Sequence, residues 1–449
     1  MTLVLMGCGV GSSSSAPTAV VEVPPRAACA EGGLPETALQ GQVTQEDRTS
    51  GRSAQGYSCN LELVGQSQGE GASWQHAWFD DCAYYSQSSA QLAQLASPGV
   101  IVVNVANPAT PVASGSLDTP AMTDPWESLK VNEQRALLGA VHGAAGALTP
   151  GTQGPEFDVY DVSGDCAQPQ LLSTTAFPDT LGHEGDWAPD GLTYYGTNGT
   201  GGGSGQVNAI DVTDPLQPTL IFRDLSRQVH GLAISDDGNR GYFASFSNNG
   251  LQIVDLSAIQ SRAAAPVITP VGAVAWEDGT LAQHAIPFTR DGKPYLVFVD
   301  EGGHGAARII DISNEALPVV VSKLKLEVHL PENCAATTPE GGCNNIFVYD
   351  GHYCGIDRAV DTTAVACGYF ESGVRVFDIR DVANPKEIAY YNPPALAEPG
   401  PGSQHGGGTA DRCTSQVRFV PERRELWTTC QDNGFVVLRF ADGVWPFAE

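Results

Sequence analysis

Histidines recur at one position of a repeated sequence pattern. His183, His230 and His284 each begin an apolar run and precede the glycine of a turn by eight residues, and His352 holds the same place within one residue. In another repeat the position falls on Glu127. Neutral imidazole binds iron, copper or zinc, and carboxylates act as further ligands or orient the rings. The pattern therefore predicts a metal site made of these residues.

A packing role explains the same pattern without a metal. Repeat proteins often keep a residue at one position because it bonds to the neighbouring repeat. Each histidine would then hydrogen-bond the unit beside it. The two hypotheses differ in geometry, because a metal requires the ring nitrogens to converge on one point.

Other acidic and histidine residues are weaker candidates for the same chemistry. Glu184 and Asp186 follow His183 closely in the sequence. They are expected to act as metal ligands or to hydrogen-bond the ligands and fix their orientation. His76 lies nearer its turn than the histidines of the pattern. His304 and His405 lie in glycine-rich segments, which predicts mobile loops that bring a ligand to the site from outside.

Several function classes are disfavoured by the sequence. Gly65-Gln66-Ser67-Gln68-Gly69 has the Gly-x-Ser-x-Gly spacing, but it continues the predicted strand of residues 59–65 and does not form a strand-to-helix elbow. No His-Glu-x-x-His motif is present, so hydrolase chemistry has no motif in the required context. Two glycine-rich stretches follow no βαβ pattern, which argues against nucleotide binding. The net charge of −28 repels phosphate backbones, so we expect no nucleic-acid partner.

Residues 228–257 contain the clearest copy of the repeat. Three short β-type runs are joined by Asp-Asp-Gly and Asn-Asn-Gly turns, and the third run ends in an aspartate. Apolar runs that end in Asp or Asn recur at intervals of roughly 45 to 65 residues, which is typical of propeller blades with loop insertions. Seven such units follow one another, at about 74–116, 126–175, 182–224, 228–272, 283–326, 351–392 and 413–440.

The seventh unit stops after its third strand. Residues 59–65, near the other end of the chain, resemble the outer strands of the other units. An N-terminal strand that completes the last blade removes an open sheet edge and closes the ring. The predicted fold is all-β: a single seven-bladed β-propeller over 57–440, with the last blade closed by an N-terminal strand. Residues 441–449 are expected to form a C-terminal tail.

The repeated third strands, such as GLQIVDLS, VIVVNVANP and RIIDIS, resemble those of the LVIVD-repeat propellers of bacterial secreted and cell-surface proteins. The resemblance covers about residues 57–440 and implies the propeller fold. It implies no activity and no set of catalytic residues.

The N-terminus resembles a partial lipoprotein signal. Residues 1–8 end in Leu-Met-Gly-Cys, which predicts lipidation of Cys8, although no basic segment precedes the short apolar run. Residues 9–55 are rich in Gly, Ser and Pro without periodicity, which predicts a flexible tether. The membrane would then be contacted only through the lipid anchor.

Eleven cysteines indicate an oxidising, extracytoplasmic compartment. Two pairs lie symmetrically about predicted hairpin turns, and a third pair could close a small loop. The predicted bridges are Cys354–Cys367, Cys413–Cys430 and Cys334–Cys343. The pairing of the remaining residues is left open: Cys29, Cys59, Cys82 and Cys166.

Two functions follow from these observations. The first is a monomeric binding or scaffold module, which would hold a protein or small-molecule ligand on its loop-rich acidic face and in its axial channel. The second is an oxidoreductase with iron or copper bound by the histidines on the propeller axis. The sequence names neither the partner nor the reaction.

Overall fold

The chain folds into seven small antiparallel sheets arranged as the blades of a β-propeller. A computed structural model describes residues 20–143, 156–177, 182–197, 206–342 and 345–447. Two N-terminal strands, β1 (Tyr57–Cys59) and β2 (Leu61–Ser67), precede the first blade. The α-helices are short: α1 (Gln45–Ser50), α2 (Pro120–Thr123), α3 (Ser257–Gln260) and α4 (Cys334–Thr337). Within the described ranges no helix is long and apolar enough to span a membrane.

Each blade takes its strands consecutively from the chain. Blades 1 to 3 comprise β3 (His76–Phe79), β4 (Cys82–Tyr85), β5 (Val100–Asn104) and β6 (Val112–Leu117); β7 (Lys130–Asn132), β8 (Leu137–Val141), β9 (Glu156–Asp161) and β10 (Gln170–Ala176); and β11 (Gly185–Trp187), β12 (Thr193–Thr197), β13 (Val207–Asp211) and β14 (Thr219–Asp224). Blades 4 and 5 comprise β15 (Val229–Ile234), β16 (Arg240–Ser245), β17 (Gly250–Asp255) and β18 (Thr269–Ala275); and β19 (Thr280–Arg290), β20 (Lys293–Gly302), β21 (Ala306–Asp311) and β22 (Val319–Lys323). Blades 6 and 7 comprise β23 (Cys354–Ile356), β24 (Ala364–Gly368), β25 (Val374–Asp378) and β26 (Lys386–Asn392); and β27 (Arg418–Val420), β28 (Glu425–Cys430) and β29 (Gly434–Phe440).

The N-terminal strand closes the ring, as the sequence predicts. Strand β2 pairs antiparallel with β29 and becomes the outer strand of blade 7. Strand β1 adds a fifth strand to blade 6 by pairing with β26. One continuous segment therefore ties the last two blades together.

The inner and middle strands are buried on both faces because each blade packs between two others. All six residues of β15 are buried, and so are all six of β28. The recurrent Asp or Asn at the end of the third strand ends that strand, because its side chain accepts a hydrogen bond from the backbone N–H two residues later. The carboxylate of Asp255 does this with Ser257 at 2.8 Å, and that of Asp211 with Thr213 at 2.8 Å. The repeated acid is therefore a turn residue.

Residues 20–55 contain helix α1 and pack against the propeller, which corrects the prediction of a flexible tether for this part of the segment 9–55. They lie against blades 5 and 6 through side chains that composition does not reveal. The buried Arg375 guanidinium pairs with Glu36, and the Gln40 amide donates to Glu387 at 2.9 Å. The tail is also packed, because Trp445 is buried in the core of blade 7. Residues 1–19, with Cys8, lie outside the described residues.

Four disulfides lie within the described residues. Cys354–Cys367 and Cys413–Cys430 form across facing strand positions, as predicted. The four cysteines left open by the sequence form Cys29–Cys59, which fastens the N-terminal segment, and Cys82–Cys166, which joins blades 1 and 2. Cys343 lies outside the described residues, so the Cys334–Cys343 bridge stays a prediction. These bridges agree with an oxidising compartment.

Candidate metal centre

Five acidic and histidine side chains meet on the propeller axis, where the first strands of the blades begin. Four lie at or just before a first strand, and the fifth lies near the end of β20, the second strand of blade 5. We call them the axial ring: Glu127, His183, His230, Glu301 and His352. Because they come from blades 2 to 6, only the complete propeller brings them together.

The polar atoms of the axial ring form a closed circuit. Nε2 of His183 lies 3.2 Å from Glu127 Oε2, and Nε2 of His352 lies 3.3 Å from Glu127 Oε1. Nε2 of His352 lies 3.2 Å from Glu301 Oε2, and Nε2 of His230 lies 3.8 Å from Glu301 Oε1. The Nε2 atoms of His230 and His183 are 2.8 Å apart. The donors fall into two overlapping groups that share Glu127: Glu127, His183 and His230, and Glu127, Glu301 and His352. Within each group the ligand atoms lie within 4.8 Å of one another, which is close to the spacing of ligands around one ion.

The second ring nitrogen is anchored in two of the three histidines. Nδ1 of His230 lies 2.9 Å from the carbonyl of Ala282, and Nδ1 of His352 lies 2.8 Å from the carbonyl of Thr414. A carbonyl only accepts, so each Nδ1 carries a proton and donates to the neighbouring blade. In His230 and His352, therefore, Nδ1 makes the hydrogen bond to the next blade that the packing hypothesis expects. Nε2 of the same rings faces the axis, as the metal hypothesis expects. Histidine metal ligands are commonly held in this way.

The electrostatics of the axial ring pair imidazolium with carboxylate. Burial alone would raise the pKa of Glu127, but His183 and His352 outweigh it and hold that pKa well below its usual value. Burial alone would lower the pKa of His352, but Glu127 and Glu301 raise it to about 10. For His230 burial dominates and lowers the pKa. Positive and negative groups therefore alternate around part of the circuit.

Aromatic side chains cover the axial ring on the side where the first strands begin. The aromatic cap consists of Trp74, Trp126, Phe347 and Phe370. The Trp74 ring stacks on His352 with centroids 5.2 Å apart. Three members of the cap, Trp126, Phe347 and Phe370, have positive φ angles of 49°, 65° and 38°. Such backbone strain often accompanies a functional site. Beneath the cap, His183 and Glu301 keep only 12% and 10% of their side-chain surface exposed.

His284 does not join the axial ring, which corrects the sequence prediction. Its Nδ1 lies 2.7 Å from Glu184 Oε1, and the side chain lies further along the axis. Strand β19 contains a bulge between Ala282 and His284, on the side of His284 away from the turn. The extra residue brings Gln283 to the axis instead, where its amide donates to Glu127 at 2.6 Å.

The supporting residues also differ in part from expectation. Glu184 bonds His284 rather than a histidine of the axial ring. Asp186 lines a cavity on the far side. His76 is buried with Nδ1 3.0 Å from the Gln416 carbonyl. His304 has its backbone N–H bonded to Asp350 at 3.0 Å.

His405 belongs to a second, separate cluster. Its Nδ1 lies 2.9 Å from Asp432 Oδ2, and Asp411 lies beside this pair. Asp432 also accepts hydrogen bonds from Ser403 and the backbone of Gly407, so the cluster fastens the loop to blade 7. The loop histidine is therefore a structural anchor in this conformation.

Sequence analysis missed Glu301 as a member of the axial ring. It lies near the end of a second strand, whereas the repeated histidine position lies at the start of first strands. The segment VDEGGHG offered a signal, because an acid at a strand end precedes a glycine-rich turn. The aromatic cap gave no repeat signal because its members come from unrelated positions in the blades.

Comparisons with known proteins support the fold. The periplasmic gluconolactonase PpgL of Pseudomonas aeruginosa matches with a TM-score of 0.52 and 12% identity, over 83% of this chain and 88% of that one. A putative 6-phosphogluconolactonase of Bacteroides uniformis matches with a TM-score of 0.54 and 14% identity, over 81% and 94%. No family model and no curated protein sequence matches. The resemblance to LVIVD-repeat proteins therefore stays a prediction.

Proposed function

We propose that this protein binds one iron or copper ion in the axial ring and acts as an oxidoreductase on a small molecule. The observation that carries the proposal is the closed circuit of donor atoms, in which two overlapping groups of three residues, sharing Glu127, each hold their ligand atoms within 4.8 Å of one another. Imidazoles combined with carboxylates suit iron and copper. Such an ion would supply electron transfer. The protein would hold the ligand side chains in place and would shield the ion with the aromatic cap.

The aromatic cap limits the size of any molecule that can reach an ion in the axial ring. The members of the axial ring are at most about an eighth exposed, so an oxidant or substrate that reaches the ion directly must be small. The two similar structures are named as lactonases, but likeness at 12% and 14% identity concerns the fold. A sugar lactone would not reach the ring through this cover, so we do not extend that activity to this chain.

A second candidate is a metal-free scaffold. The observation that favours it is the alternation of charge, since imidazolium–carboxylate pairs could join blades 2 to 6 without an ion. In that case the loop-rich acidic face and axial channel would hold a partner. Truncating one member of such a buried pair is strongly destabilising, by about 3–5 kcal/mol.

Elemental analysis of the protein, purified from an oxidising compartment without a histidine tag, tests the proposal. We expect near one equivalent of iron or copper per chain, and a His230→Ala variant should lose most of it. The matched control is His76→Ala, which removes a buried histidine outside the axial ring. A metal-free protein that also refuses added metal would overturn the proposal and favour the scaffold. A redox-inert ion such as zinc would keep the site but overturn the oxidoreductase.

For its location we propose the extracytoplasmic side of a cell membrane, with Cys8 as a lipid anchor. The disulfides support the compartment. The anchor rests on the sequence Leu-Met-Gly-Cys alone. Metabolic labelling with a fatty-acid analogue should mark the full chain and leave a Cys8→Ser variant unlabelled.

A further inference from the structure

A second set of charged side chains lines a cavity at the opposite end of the axial channel. This far cavity has a volume of about 170 Å³ and is lined by first-strand residues of blades 1 to 5 together with Gln416. It lies on the side of the turns that follow the first strands. Glu184, Gln283 and Tyr353 separate it from the axial ring.

Lys130 is the central feature of the far cavity. It is only 6% exposed, and its ammonium lies 3.3 Å from Gln416 Oε1 and over the ring of Tyr353. Within the described ranges no carboxylate is in direct salt-bridge contact with it, and the acidic group that interacts with its charge is Asp186, which lines the same cavity. Lys325, which is equally buried, instead pairs with Asp278 at 2.7 Å. A buried ammonium without a carboxylate in direct contact is costly, and an anion from a ligand that contacts it would relieve that cost.

His284 adds a second group that faces the far cavity. The buried Glu184 carboxylate accepts from its Nδ1 at 2.7 Å, so Nε2 is the atom left for a ligand. The histidine that does not join the axial ring therefore has a defined orientation towards this cavity.

The remaining lining restricts the ligand further. Asp186 and Glu133 offer carboxylate acceptors, which suit hydroxyl groups and repel a compact multivalent anion such as phosphate. Trp78, held by a bond from its Nε1 to Glu133 at 3.1 Å, adds an aromatic surface beside Ile286. A ligand that satisfies all of these groups has one negative charge, several hydroxyls and an apolar face.

We propose that the far cavity binds a small hydroxylated carboxylic acid. The carboxylate lies against Lys130 and His284, the hydroxyls donate to Asp186 and Glu133, and carbon-bound hydrogens contact Trp78. The cavity suits a compound of a few carbon atoms, since its volume is below that of typical drug-sized sites. This site is distinct from the axial ring and needs no metal.

Isothermal titration calorimetry with the full chain tests this proposal. The probes are gluconate and hexanoate, carboxylates of equal chain length that differ in their hydroxyl groups. Gluconate should bind at least about 10-fold tighter than hexanoate. Lys130→Met, which removes the charge and keeps much of the length, should weaken gluconate binding at least about 10-fold, the usual order for a charged hydrogen bond. Asp186→Asn should weaken gluconate binding and leave hexanoate unchanged.

The His230→Ala variant separates this proposal from the proposed function. It should lose metal and still bind gluconate like the unaltered chain, so the two sites can fail independently. Equal affinity for the two probes, no binding of gluconate, or unchanged binding by a folded Lys130→Met variant would each overturn the proposal. Thermal unfolding establishes that each variant is folded.

Discussion

Glu301 and His284 show that the local backbone at one residue determines whether its side chain reaches the axial ring. Both lie in blade 5, yet the acid points to the axis from a second strand and the histidine turns away behind a bulge. Sequence spacing predicted that His183, His230, His352 and Glu127 would come together, and the structure places their side chains in the axial ring. It failed for His284, whose side chain bonds Glu184 and lies next to a bulge that the repeat pattern does not reveal.

The two residues make a matched pair of variants. Glu301→Gln keeps the size of the side chain and removes the charge that faces His352 and His230, so metal affinity should fall at least about 10-fold. His284→Asn should leave metal affinity within a few-fold of the unaltered chain. Competition with a chromophoric chelator measures both. The opposite order would show that His284, and not Glu301, is the ligand.

At the scale of elements, strand β2 determines whether the ring is closed. It covers the free edge of β29, and Leu61 is buried against the core of blade 7. Leu63, two residues later, is 42% exposed. The strand therefore stabilises the fold through the buried Leu61, the partly buried Val64 and a ladder of backbone hydrogen bonds.

Alanine substitutions on β2 measure the contribution of this closure. Leu61→Ala should lower the free energy of unfolding by about 2–4 kcal/mol, because it leaves a cavity in the core of blade 7. Leu63→Ala should change it by about 0.5 kcal/mol or less, as for most exposed positions. Urea unfolding compares the two. Equal changes in the free energy of unfolding for the two variants would mean that burial of Leu61 does not hold β2 in place.

The strands and their arrangement into blades were the part of this structure that the sequence predicted best. Alternating apolar runs and glycine turns gave the blades, and the incomplete seventh unit revealed the closing strand. The N-terminal segment was not predictable in the same way. Its contacts are single charged or polar pairs, such as Arg375 with Glu36, and these have no periodicity along the sequence.

For the whole molecule, buried neutral histidines limit stability in acid. Burial lowers the pKa of His76 and of His329 to about 3, whereas histidine in an unfolded chain has a pKa of about 6.5. Below pH 6.5 the unfolded chain therefore binds more protons than the folded one. Stability that is fully present above that pH is lost as the pH falls towards 3.

The expected slope is about 1.4 kcal/mol per pH unit for each such histidine. A His329→Gln variant should lose stability less steeply between about pH 6.5 and 3, even if it starts lower because two hydrogen bonds of His329 are altered. Urea midpoints across this range measure the slope. Parallel curves for the two proteins would contradict this role of His329.

The central claim is that one metal ion lies among the donors of the axial ring. An anomalous-difference map, from crystals of protein loaded with iron or copper and measured at the absorption edge of that metal, tests it most directly. We expect one strong peak on the propeller axis, about 2.0–2.2 Å from Nε2 of His183 and His230 and next to Glu127. No peak on the axis, or a peak only at His405 and Asp432, would contradict the account.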